Sequence, residues 1–272
     1  MLSSLYHLIR QKMEIHIDWP QPYPSIEQRV RLLEESCWGS RNLSIIDCFG
    51  DSHVSIFRLM NSHPAIRGRK IRFRCIPVSG ATALGLANPN SKTNAFEIFR
   101  HWLVQIPANR FIFFMMGEVD AGFVIWWRAQ KHQLPISQML EESVNNYFEF
   151  ILNVHRSHPK LYVFSAPLPT LADGNNYGPK VRNYRKEVTA NQKQRTELTL
   201  NFNKKIGVRL KNKGIDFIDL DSLSLDSKTG LVHKELVNSR AQDHHYEPAA
   251  FQKMILNAFE RELDLIRDFS SD

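Results

Sequence analysis

The sequence predicts an α/β chain: a three-layer, flavodoxin-like, doubly wound sandwich built on a mainly parallel five-stranded sheet. Three observations predict it. From residue 43 onward, short apolar runs ending in Gly, Asp or Ser alternate with helix-length polar or amphipathic segments. The runs are almost continuously apolar, as strands buried on both faces are. The last helical segment repeats its apolar residues every four positions, which lays one stripe against a sheet.

Residues 1–40 are broken by Pro20, Pro22 and Pro24 and carry a helical pattern over 25–35. They read as an extension packed on a main domain that takes the rest of the chain, 41–272. The predicted strands are 43–49, 71–78, 110–116, 160–166 and 214–220, each too short for a helix with its own core. Between the third and fourth, Met139, Leu140, Val144, Tyr147, Phe148 and Ile151 recur at helical spacing within 137–155. A second helix is expected over about 187–213. The last, 248–269, opens on Pro248, where a missing N–H costs nothing, and carries the stripe Phe251, Ile255, Phe259 and Leu263. The loop 167–182, with Pro169, Gly174, Asn175, Asn176, Gly178 and Pro179, follows a strand end and reads as a substrate gate or as plain surface. In such a sandwich, ligands bind where the carboxyl ends of the strands open a crevice.

A chain of 272 residues, 43% hydrophobic and 23% charged, fills a core of its own, which excludes disorder as its main character. The formal charge of +7 is concentrated, with eleven Lys or Arg over 180–213 against Glu187 and Glu197. That segment reads as the solvated face of a helix and its approach loop. No nucleic-acid-binding module or regular interleaving of Arg with aromatic residues accompanies it, so no nucleic-acid partner is expected. Cys37, Cys48 and Cys75 follow neither a zinc nor a disulfide spacing and suit a reducing compartment. His7, Arg10, Lys12 and Glu14 interrupt the stretch a signal peptide would need, and the longest apolar run, 111–116, is far short of the roughly 20 residues of a membrane helix. A cytoplasmic protein without a membrane span is the expectation. The oligomeric state is not written in any of these patterns.

The chemistry is carried by two short segments. In IIDCFGDSH a buried strand runs straight into Gly50, Asp51, Ser52 and His53, which exposes a serine at the crevice beside backbone N–H groups suited to negative charge. Gly, Asp and Ser are ordinary turn residues, so that tripeptide needs a partner. AQDHHYEP supplies one ahead of the final helix, with Asp243, His244 and His245. An imidazole within reach takes the seryl proton and returns it to a leaving group, and a neighbouring carboxylate fixes its tautomer. In this topology both segments belong to one rim.

Those residues resemble the blocks of the SGNH, or GDSL-type, esterase and lipase superfamily. Gly50-Asp51-Ser52 is similar to its serine block, and Val78-Ser79-Gly80-Ala81 to the block whose glycine N–H serves the oxyanion. Gly117-Glu118-Val119-Asp120 stands in the place of its Gly-x-Asn-Asp block, and His245-Tyr246-Glu247-Pro248 resembles the end of its histidine block. The resemblance covers about 43–265. It implies Ser52 as nucleophile, His245 as base and Asp243 as orienting acid, with Gly80, Asp51, Glu118, Asp120 and His244 around the oxyanion and substrate. It implies no metal and no organic cofactor.

Two departures qualify it. Val119 replaces an asparagine whose amide would serve the oxyanion, and valine has no donor. Loss of one such donor costs on the order of a hundredfold or more, unless another group, such as Arg128, replaces it. Gln242, not aspartate, lies three residues before His245; Asp243 reaches the ring by a different turn, or His244 and His245 divide the roles, or the pair works as a dyad. The GEVD form of the third block resembles a branch associated with glycans. The expected function is a serine esterase or deacylase, or an O-acyltransferase by the same acyl-enzyme chemistry, acting on a small O-acyl ester such as an acetylated carbohydrate. The alternative is a non-catalytic glycan-binding or scaffold protein that kept the fold. His53 reads as a packing or substrate contact, Trp126 and Trp127 as core or rim aromatics, and the histidines at 101, 132, 155, 158 and 233 as surface or capping residues.

Overall fold

The computed structural model describes residues 43–67, 69–174, 188–240 and 243–262. The extension 1–40, the gate segment beyond 174, Gln242 and the chain after 262 lie outside the described residues.

All five predicted runs form strands: β1 Ser44–Gly50, β2 Ile71–Pro77, β3 Ile112–Met115, β4 Leu161–Phe164 and β5 Asp216–Ile218. Every pairing is parallel, in the order β2-β1-β3-β4-β5. The chain winds outward from β1 in both directions, so the carboxyl ends of β1 and β3 meet at the switch point where ligands bind in such sheets. Successive strand residues go to opposite cores, as the two-residue period demands. Phe49, Ile112 and Phe114 join one cluster, while Ile46, Cys48, Phe113 and Met115 join the other.

The helices are α1 Ile56–Met60, α2 Pro64–Arg67, α3 Ala95–Leu103, α4 Ile125–His132, α5 Ile136–Ser157, α6 Gln192–Lys211, α7 Asp221–Ser224 and α8 Pro248–Glu262. Residues of α3, α4, α5 and α6 cover the first core, and residues of α1, α2 and α8 the second, which makes three layers. The apolar stripe of 137–155 is buried through Met139, Leu140, Val144, Tyr147 and Ile151, so packing of an amphipathic face holds that helix. Helix α6 starts at a capping box made by Asn191 and Gln194, later than the expected 187.

Two buried polar arrangements break the apolar pattern. Asp47 in β1 is fully buried and paired with Arg74 of β2 and with Arg110 at 3.2 Å. A lone buried carboxylate would be costly, and the two guanidinium groups offset that. At the end of β4, Asn203 of α6 accepts from Ala166 N at 2.8 Å and donates to Ala166 O at 3.0 Å and to Asp221 at 2.8 Å. His158, expected as a surface or capping residue, is the C-cap of α5; it is 5% exposed and bridges Ser157 Oγ and the Ile106 carbonyl.

Part of the basic 180–213 segment is engaged internally. Arg195 is 1% exposed and donates to the Leu171 carbonyl at 2.7 Å, while Lys205 and Arg209 both pair with Glu141. Among the described residues, no helix is long and apolar enough to cross a membrane.

Candidate active site

Strand β1 ends in Gly50, and the chain turns at once into a 3-10 turn, Ser52–Ser55, before the short α1. Asp51 caps this tight turn by accepting from His53 N at 2.9 Å. Asp51 is fully buried, so its carboxylate orders the turn from below while Ser52 stays half-buried at the crevice.

The DHH segment arrives from the other side of the rim. His245 Nε2 lies 2.8 Å from Ser52 Oγ, and His245 Nδ1 lies 2.7 Å from Asp243 Oδ1. The same Asp243 oxygen accepts from His245 N at 3.0 Å, a two-residue turn that lets the acid sit two positions before the base. Of the three arrangements left open by the sequence, the described geometry is the serine–histidine–aspartate chain. Burial and the neighbouring His53 lower the His245 pKa below 6.5, against Asp243 and Glu118, which raise it. The imidazole is thereby kept in the neutral form a general base needs. Burial tends to raise Asp243, but the hydrogen bonds and charge of His245 hold it below 3.8.

This loop is fixed by contacts that local sequence does not announce. Tyr246 is 2% exposed and its hydroxyl accepts from Leu168 N at 2.6 Å, which ties the histidine segment to the loop after β4. Thr170 Oγ1 donates to the His244 carbonyl at 2.9 Å. A tyrosine beside the histidine pair was the only visible signal of this anchoring.

The other expected residues fall into two groups. Gly80 is exposed, at φ +74, and neither its N–H nor that of Ser52 donates to a protein group among the described residues. His244 is half-buried, with its ring 4.2 Å from that of His245. Glu118 is 1% exposed, and its Oε2 is buried without a hydrogen-bond partner. Val119 is half-buried at the start of a π-helical turn, Asp120–Val124.

Asp120, expected at the substrate, instead faces inward and is fully buried. Its oxygens accept from Ala83 N at 2.7 Å, Leu84 N at 3.1 Å and Ser143 Oγ at 2.9 Å, so it ties the loop carrying Gly80 to α5. Burial, against those three donors, raises its carboxyl from 3.8 to about 6. A carboxyl raised in the folded state is harder to ionise there than in the unfolded chain. Native stability should therefore fall as pH climbs from about 4 to about 6, by up to about 3 kcal/mol, and stay reduced above. Asp120→Asn cannot titrate. Urea unfolding should show the variant gaining on the parent by that amount between about pH 4 and pH 7; a difference independent of pH would place the Asp120 titration at its ordinary value.

Set against solved structures, the chain matches a proposed platelet activating factor from Streptococcus pneumonia over 97% of its own length and 99% of the other, with 16% identity and a TM-score of 0.51. That likeness bears on the fold alone, a three-layer α/β sandwich on a parallel five-stranded sheet. Also matched are a lipolytic protein of the G-D-S-L family from Desulfitobacterium hafniense and an acetylxylan esterase from Geobacillus stearothermophilus. The first shows 13% identity over 80% of this chain and 98% of that one, at TM-score 0.48; the second 14% over 81% and 94%, at 0.49. No protein-family model matches the sequence, and no curated protein is similar to it.

Proposed function

We propose that the protein is a serine esterase or deacylase of the SGNH kind, or an O-acyltransferase using the same acyl-enzyme, with a small O-acyl ester as substrate. One observation carries the reading: Ser52 Oγ, His245 Nε2 and Asp243 stand in an unbroken hydrogen-bonded chain. Ser52 Oγ attacks the acyl carbon while its proton passes to His245 Nε2, and Asp243 holds the Nδ1 proton in place. The tetrahedral oxyanion takes the N–H groups of Ser52 and Gly80. As the intermediate collapses, His245 returns the proton to the departing alcohol. Water, or an acceptor hydroxyl in the transferase form, then attacks the acyl-Ser52 while His245 accepts its proton, and the acyl–serine bond breaks as His245 returns that proton to Ser52 Oγ. No step calls on a metal or an organic cofactor.

A small acyl group on a carbohydrate hydroxyl is the substrate class we assign, following the resemblance of the GEVD block. The buried Cys48 and Cys75 suit a reducing, cytoplasmic setting. A fluorophosphonate probe tests the whole reading. The native protein should be labelled stoichiometrically and Ser52→Ala not at all. An unlabelled native protein would support the second reading, a glycan-binding or scaffold protein, which Val119 favours because its side chain offers the oxyanion no donor.

A further inference from the structure

The reaction above leaves a second carboxylate–imidazole pair unused. Asp51 Oδ1 lies 2.9 Å from His53 Nδ1, and the histidine side chain is almost wholly buried. With Nδ1 taken, Nε2 remains, and it is buried without a hydrogen-bond partner among the described residues, while the His244 backbone lies near enough to act on the ring. An orphaned imidazole nitrogen in a protein interior is uncommon and costly, and it asks for a ligand.

That histidine has company. One ring nitrogen each of His53, His244 and His245 lies within 4.8 Å of the other two. The ring of His53 stands 4.7 Å from that of His245 and 5.2 Å from that of His244. Neutral imidazoles suit zinc, cobalt, nickel and copper, and metal-bound histidines usually carry a carboxylate on the other ring nitrogen. Two of these three already do, His53 through Asp51 and His245 through Asp243. Glu118 adds a buried carboxyl with an unpartnered oxygen, and it acts electrostatically on both His53 and His245.

Geometry allows closure. Zinc–nitrogen bonds are about 2.0 to 2.1 Å, which sets tetrahedral ligands roughly 3.4 Å apart. Starting from separations of up to 4.8 Å, ring rotations of about 1 Å suffice. His53 is pinned, but His244 and His245 are half-buried and supply the movement.

We propose that His53, His244 and His245 form a binding site for a zinc-class divalent cation, and that occupancy switches the serine centre off. The metal takes the His245 Nε2 lone pair that would accept the Ser52 proton, so Ser52 loses its base. The switching half of this proposal rests on the serine-hydrolase reading; the binding half does not.

The two halves are read separately. Zinc is titrated calorimetrically into Ser52→Ala protein, which retains all three imidazoles and has no nucleophile. One zinc per chain is expected, with affinity falling roughly 100-fold or more when His53→Gln or His244→Gln is added. Cobalt in place of zinc should give the visible absorption of a tetrahedral site, lost in the same variants. His244 is half-buried, so its variant serves even if the one at buried His53 fails to fold. Absence of binding, or binding indifferent to both changes, overturns the site. Separately, zinc should block fluorophosphonate labelling of native protein, a chelator should restore it, and the labelling of His53→Gln and His244→Gln proteins, each compared with its own rate in chelator, should not respond to zinc. Zinc bound at these histidines with labelling unaffected overturns the switch. A native protein unlabelled even in chelator overturns the hydrolase reading and the switch with it, while the calorimetry still decides the metal site.

Discussion

Replacing His245 by alanine is expected to lower hydrolysis of an aryl acetate by roughly three to six orders of magnitude, with the fold unchanged. The size follows from the geometry: a seryl hydroxyl is a poor nucleophile until a base takes its proton, and His245 Nε2, at 2.8 Å, is the base in position. His53 is too constrained to stand in, because its Nδ1 is held at 2.9 Å by Asp51 in a buried turn. Asp243→Asn should cost less, on the order of a hundredfold to ten-thousandfold, since it disturbs the tautomer of the base while leaving the base in place. Because the three act as a unit, adding Ser52→Ala to His245→Ala should remove almost nothing further. Steady-state assays against several aryl esters decide the matter. Activity within tenfold of the parent in His245→Ala would take this histidine out of the mechanism.

The same reasoning separates what was legible in the sequence from what was not. Strands such as 112–115 and 161–164 announced themselves because burial on both faces demands apolar residues throughout. The rim was legible because Ser52 follows a strand end and His245 precedes a helix, and doubly wound topology sends both to one edge. Asp47 was invisible as a partner, since Arg74 reaches it from β2 and Arg110 from the turn before β3, which leaves no local pattern. The inward turn of Asp120 was hidden for a similar reason: Ala83, Leu84 and Ser143 are brought to it only by the packed fold. The three-histidine cluster combines two adjacent residues with one from a distant turn, a spacing no metal motif would flag. Local signals encode elements; long-range polar contacts depend on how those elements close together.

Gly50→Ala should be the most damaging single methyl group at the site, destabilising the protein by about 4 kcal/mol or more and removing activity with it. Gly50 pairs with Met115 across β1 and β3, where the two carboxyl ends come together. A Cβ there would lie 2.0 Å from the Met115 carbonyl oxygen, 3.0 Å from its carbon and 3.2 Å from Val54 Cβ. The nearest atoms are backbone in the centre of a sheet, so no side chain can rotate away and the strands must part. Parting them moves Ser52, two residues on, away from the block that carries Glu118. Gly80→Ala is the control. Its Cβ would meet only Thr93 Cγ2, at 3.9 Å, and its φ of +74 adds a conformational cost of roughly 1 to 2 kcal/mol. Urea denaturation of both variants should therefore show a large loss of midpoint for position 50 and a small one for position 80. Equal losses would mean that the approach of β1 to β3 is not what holds the serine in place.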